Sequence, residues 1–332
     1  MIPRLDISFP LMRQWQYWFG KMYEPADGEY LLNHARTGIV MALRTALPDG
    51  GRVGVVAYNC HTVANAVVNA GCEPVFVDVT ENLKINVASI LTNLDAIVVT
   101  NLFGIRNDVE AIRKRCPKAV LIVDNAHGYG LPAEGDFTVY SINQGKFPAL
   151  GEGGLLTVNG NRLAVKGKID ELYKTLPKYG FIAQCKLFFS MLVKAVAYSQ
   201  CIYWLTMRIK KSSRPKVHQG VVMRQMAPGI RRLYKAWLST VEDEIAKRRA
   251  NAAKIADLGY ETIMGENAFM AIIRTNEVAA AKADFAKRGI ETETHFGRAI
   301  EWAKEFGYES GSCPMAEQLT KELLMIPTYR SI

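Results

Sequence analysis

The sequence has no CxxC pair. Its six cysteines (Cys60, Cys72, Cys116, Cys185, Cys201 and Cys313) are scattered, which reads as reduced thiols in a cytosolic protein rather than a disulfide framework. Five histidines (His34, His61, His127, His218 and His295) share no HxxxH or HExxH spacing, so no metal centre of that kind is expected. No GxSxG elbow presents an acyl-transfer serine. Gly145-Lys146 is followed by Phe147, and Tyr140 stands where a phosphate loop needs its first glycine, so a nucleotide P-loop is excluded. GYGLPA (128–133) has the spacing of a dinucleotide fingerprint, but Pro132 stops a helix from opening there and the stretch reads as a turn. The start, MIPRLDISFPLMRQ, is broken by charge and proline and lacks the apolar region of a signal peptide. A cytoplasmic location is the expectation.

The composition is that of a folded chain of 332 residues, 49% hydrophobic and 22% charged, without repeats. The formal charge of +9 favours anionic ligands. Much of the excess sits in TMRIKKSSRPK (206–216), and no nucleic-acid-binding motif accompanies it, so nucleic acid is not an expected partner. The apolar stretch 181–207 is interrupted by Gln184, Lys186, Lys194 and Gln200, which argues against a spanning helix. It is expected to form a helical pair packed against a partner subunit. The alternative is a helix lying in the plane of a membrane surface and ending in the basic cluster, within 181–216.

From 52 to 158 the pattern alternates. RVGVVAY, EPVFVDV, DAIVVTNLFG and AVLIVDNAHG read as buried strands, and FTVYSI and GGLLTVN as shorter ones. TVANAVVNAG, NVASILTNL and NDVEAIRKRC (with Asn107 as its cap) read as the helices between them. This predicts an α/β fold: a mostly parallel sheet with helices on both faces, which binds ligands at the carboxyl ends of its strands. The segment from 229 predicts one long helix ended by Gly259, then a strand (AFMAIIRT), a helix, a strand (IETETHF) and two more helices. The chain is thus expected to divide into a large domain (1–235) and a smaller C-terminal α+β domain (236–332).

One constellation ties the strand ends together. Lys146 in SINQGKFPALGEGG (141–154) suits an imine with an aldehyde cofactor, pyridoxal 5′-phosphate (PLP), whose chemistry needs a protonated ring nitrogen. Asp124, at the end of an apolar strand, suits that nitrogen. Thr37 and Gly38 at a helix start, with the Ser141 hydroxyl, suit a phosphate. The glycines let the backbone pass close to a ligand.

These residues stand in stretches (RTGIVMAL, VLIVDNAHGYG, YSINQGKFPALGEGG, CPMAEQLTKELLMIPTY) whose order resembles the DegT-type nucleotide-sugar aminotransferases over about four-fifths of the chain. The resemblance implies fold type I of the PLP enzymes, with Lys146 as the catalytic lysine that binds PLP and moves protons. It implies that Asp124 pairs with the pyridinium nitrogen, and that His127 orients Asp124 or the cofactor's phenolic oxygen. Thr37, Gly38 and Ser141 would hold the phosphate, and His295 would lie near the sugar. The family's ring-stacking aromatic falls at Cys60 or His61 here, and its phosphate-reaching asparagine has no counterpart in VVMRQMAP (221–228). The implied reaction is amination of a keto group on a nucleotide-linked sugar, with glutamate as donor, in a homodimer. Three other readings stand beside it: a sugar dehydratase, which Lys146 disfavours; a regulator that lost turnover; and a membrane-surface part of a glycan assembly pathway.

Overall fold

A computed structural model describes residues 2–3, 14–160, 163–199, 203, 217–294 and 296–330. Seven strands form the main sheet: β1 Glu29–Leu32, β2 Arg52–Val56, β3 Glu73–Val77, β4 Ala96–Thr100, β5 Val120–Asn125, β6 Phe137–Ser141 and β7 Gly154–Val158. Their spatial order is β1-β7-β6-β5-β4-β2-β3. The pairings from β3 to β6 are all parallel, whereas β7 runs antiparallel to both β6 and β1. Runs such as AIVVT in β4 are buried on every residue because helices cover both faces. One layer of core lies under the helix Ala35–Ala46, where Gly38 lets backbone meet sheet: a Cβ there would come 2.9 Å from Val139. The fold is the mostly parallel α/β arrangement read from the sequence.

Three strands, β8 Thr262–Met264, β9 Met270–Arg274 and β10 Leu323–Pro327, form a second, antiparallel sheet in the order β10-β9-β8. One of its faces has a small core of its own (Ile255, Ile273, Phe285, Ile326), while Phe269, Ile272 and Met325 join the main core.

Four expectations need correction. NVASILTNL is no helix: only a 3₁₀ turn forms at Val87–Ser89, because the Asn86 side chain accepts from Ala88 N–H and Ser89 Oγ donates back to the Asn86 carbonyl. The long helix from 229 is two, Pro228–Trp237 and Val241–Ala256, separated by a 3₁₀ turn. Ser239 and Thr240 donate their hydroxyls to the carbonyls of Ala236 and Trp237 there. The cap of Val109–Arg115 is Asp108, whose carboxylate accepts from Ala111 N–H; Asn107 is buried and bonds elsewhere. Among its described residues IETETHF forms only single bridges, Ile290 to Ile2 and Glu293 to Met325.

The stretch 181–207 supplies a helix at Phe181–Ala197; most of its remainder, and 206–216, lie outside the described residues. Among the described residues no helix is long and apolar enough to cross a membrane.

Candidate active site

The lysine loop joins β6 to β7, folding back on itself over the carboxyl end of the sheet. Ile142 N–H donates to the Gly153 carbonyl and Leu150 N–H to that of Ile142, while Asn143 Oδ1 accepts from Gly153 N–H at 2.8 Å. Gly151 and Gly153 hold φ of 98° and 140°, a region that favours glycine. A Cβ on Gly151 would also strike Met191 of the helix Phe181–Ala197 at 2.6 Å.

Beneath the loop lies a cavity of about 200 Å³, lined among others by Arg36, Cys60, Asp124, His127, Ser141 and Lys146. Asp124, next to last in β5, is in register with Thr100 at the end of β4. Its Oδ1 accepts from Ala126 N–H at 3.0 Å. Burial pushes its carboxyl up, opposed by that N–H, by Lys146 and by the Thr100 hydroxyl. The loops around it are locked by buried amides: Asn59 donates to Thr100 Oγ1, Asn101 to Asn125 and Asn107 to Asn101.

Lys146 Nζ is 2.7 Å from His127 Nε2. The other ring nitrogen, Nδ1, accepts from Phe103 N–H at 3.2 Å. With Nδ1 accepting, the neutral imidazole carries its proton on Nε2, which then donates to a lone pair on Nζ. The lysine is a neutral amine in this arrangement. Burial drives its pKa down in the same direction, partly opposed by Cys60 and Asp124. The His127 ring is stacked against Phe103 (5.4 Å), Phe269 (4.8 Å) and Phe296 (5.9 Å), and its carbonyl accepts from Asn267.

Cys60 faces the cavity. Burial alone would raise its thiol. The hydrogen bond with His61, the charge on Lys146 when protonated, and the Thr62 hydroxyl at 3.1 Å outweigh it and bring the thiol to about 7. The protonation of the thiol is therefore coupled to that of the amine. His61 itself packs edge-on against Trp302 at 5.0 Å, outside the lysine cavity. Of the two positions expected to face a cofactor ring, only Cys60 lines the lysine cavity.

Thr37 and Gly38 are likewise not brought to the cavity. The Thr37 hydroxyl donates to Asn33 Oδ1, and Gly38 faces the sheet. The helix start instead presents His34 and Arg36. Burial, with the charge of Arg36, lowers His34 to about 4, against its hydrogen bond with Asn143. Arg36 is also desolvated, with Cys60 and Glu152 as its nearby anionic groups. The sequence reading missed both residues, though RTG at a helix start was the signal. Phe296 was missed too, and its φ of 57° had no sequence sign. His295, beside it, lies outside the described residues. Glu152 of GEGG accepts from the Tyr179 hydroxyl, and burial raises its carboxyl against Arg224, Arg36 and Lys194. Among the described residues no group of side chains could hold a metal ion.

A mostly parallel sheet with a lysine, an aspartate and a cationic helix start converging on one carboxyl edge is the aminotransferase fold, fold type I of the PLP enzymes. Residues 32–182 match the family model of the DegT/DnrJ/EryC1/StrS aminotransferases. This segment, which holds the parallel strands and the lysine loop, is thus similar to that family. The "Pleiotropic regulatory protein" of Geobacillus stearothermophilus is 23% identical, over 88% of this chain and 77% of that protein. The spore coat polysaccharide biosynthesis protein SpsC of Bacillus subtilis is 23% identical, over 91% and 80%. The sugar aminotransferase CalS13 of Micromonospora echinospora superposes with a TM-score of 0.72 over 99% of this chain and 95% of its own, at 15% identity. Spr1654 of Streptococcus pneumoniae, a putative sugar aminotransferase in its PMP form, superposes with a TM-score of 0.72 over 98% and 93%, at 16% identity.

Proposed function

We propose that the protein is a PLP-dependent aminotransferase that converts a keto group of a nucleotide-linked sugar into an amine, with glutamate as donor. The contact between Lys146 and His127 carries this reading, because it holds a buried lysine as a neutral amine ready to act as a nucleophile. The family match, and the sugar chemistry named for SpsC and CalS13, support the substrate class.

The residues present fit the cofactor. A buried carboxylate (Asp124), a hydroxyl (Ser141) and a guanidinium at a helix start (Arg36) line one cavity with the amine. Asp124 would hold the ring nitrogen protonated, Arg36 and Ser141 would hold the phosphate, and Cys60 would face the ring. Bound PLP supplies an aldehyde that exchanges amines and a ring that accepts electrons. The chain's part is to hold and move protons. Lys146 Nζ, once free as a neutral amine, would take a proton from the substrate carbon and return it, and His127 Nε2–H would keep Nζ aimed. Phe269 and Phe296 exclude water from that pair.

The same proposal includes a homodimer, a cytoplasmic location and a smaller domain at 236–332. A regulator without turnover is the second reading, suggested by the name of the Geobacillus relative. An absorption spectrum separates the two. Wild type incubated with PLP is expected to gain a visible band that glutamate bleaches and that Lys146→Ala lacks. A wild type that stays colourless overturns the aminotransferase and leaves the regulator.

A further inference from the structure

Among the described residues the helix Phe181–Ala197 is held to the body along one side. Met191 is buried against the lysine loop, and Phe188 packs on Tyr17 and Trp18 at 5.2 and 5.5 Å. These contacts fix the rotation of the helix and leave an outward face of apolar side chains at helical spacing. Ile182, Phe189, Val193 and Val196 are 71%, 60%, 66% and 44% exposed, and Phe181 is 71% exposed beside them. The short helix Gln14–Phe19 adjoins it through the contact of Trp18 with Phe181 and exposes Trp15 and Phe19 (59% and 81%). A continuous apolar patch of this kind marks an interaction surface.

Charge says what the surface fits. Lys186 lies on the outward face, Lys194 is exposed to its side, and neither helix contains an Asp or Glu. The imbalance extends along the chain. Residues 172–241 contain 13 Lys and Arg and no acidic residue, which leaves the rest of the protein at 28 against 32, a net charge of −4. The whole positive excess belongs to the segment that carries this helix.

We propose that the outward face of Phe181–Ala197, with Trp15 and Phe19, docks the protein on an anionic lipid surface, lying in the interface without crossing it. Aromatic and aliphatic side chains enter the boundary between headgroups and acyl chains, while the lysines extend their ammonium groups to the lipid phosphates. A second copy of the chain fits less well. Where the helix met its own counterpart across a two-fold axis, lysine would stand against lysine with no carboxylate on either helix to pair them. At 17 residues the helix is also too short to span a bilayer.

The test uses the full chain and needs no cofactor, so its result is independent of the aminotransferase reading. Co-sedimentation is compared for vesicles of phosphatidylcholine alone and of phosphatidylcholine with phosphatidylglycerol. Binding is expected to be at least about tenfold stronger to the anionic vesicles and to weaken as salt screens the charge. Phe189→Asp/Val193→Asp, both at exposed positions, should abolish it while leaving size on gel filtration and thermal unfolding unchanged. Lys186→Glu, which keeps the apolar face, should weaken it severalfold and serves if the double variant does not fold. No difference between the two vesicles overturns the proposal. So does a double variant whose assembly falls apart, which would give the face to a second copy.

Discussion

Lys146 and Lys186 are the same residue in opposite surroundings. Lys146 sits under a glycine-rich loop, its amine against an imidazole whose tautomer is fixed from behind. Lys186 lies on the open face of a helix among exposed aromatic and aliphatic side chains. Desolvation is what separates them: burial favours the neutral amine in the first, whereas the second stands in water with a role in long-range attraction. One chain thus uses lysine as a nucleophile and as a surface cation, and the surroundings rather than the residue decide which.

The largest effect should come from removing the first of the pair. Lys146→Ala is expected to abolish the visible band with PLP and to lower turnover by about 10²–10⁴-fold in a sugar-amination assay. Next comes the aromatic wall that excludes water. Phe269→Ala opens a void beside His127 and should cost about 3–5 kcal/mol in urea unfolding.

Acid should act on the helix start. His34 titrates near 4 when folded, below its unfolded value of about 6.5. The unfolded chain binds the proton first, so stability is full above about 6.5 and falls as pH drops towards 4, by up to about 3 kcal/mol. His34→Gln should flatten that slope in a pH series of denaturant melts. A smaller change tests the link between amine and thiol: alkylation of Cys60 should accelerate as pH rises through about 7, and Lys146→Met should move that midpoint upward. The smallest effect belongs to the exposed lysine, since Lys186→Ala should change folding stability by no more than about 0.5 kcal/mol.

The parallel strands β2, β4 and β5 were readable because residues buried on both faces must be apolar throughout, which leaves short runs such as RVGVV and AIVVT bounded by polar turns. Lys146, Asp124 and Ser141 were singled out from their place at or beyond strand ends, and Cys60 from the family resemblance. Failures occurred where side chains compete with the backbone, as Asn86 and Ser89 do against a helix and Ser239 and Thr240 do within one. At the helix start the sequence reading chose Thr37 and Gly38 whereas Arg36 lines the cavity, because Thr37 and Arg36 point apart and no pattern in RTG tells which one turns to it. β1 and β10 were missed because each is short and takes its pairing from a distant strand, β7 and β9.

Phe103 holds φ at 54°, where a bulky side chain rarely rests. That turn of the chain aims its N–H at His127 while its ring covers the same imidazole. Glycine there would relieve the backbone but strip the ring away. Most other residues would keep the strain and lose the cover. The position is boxed in from both sides, so drift or engineering at residue 103 has almost nowhere to go, and a small step there should be felt at the lysine before it is felt in the fold.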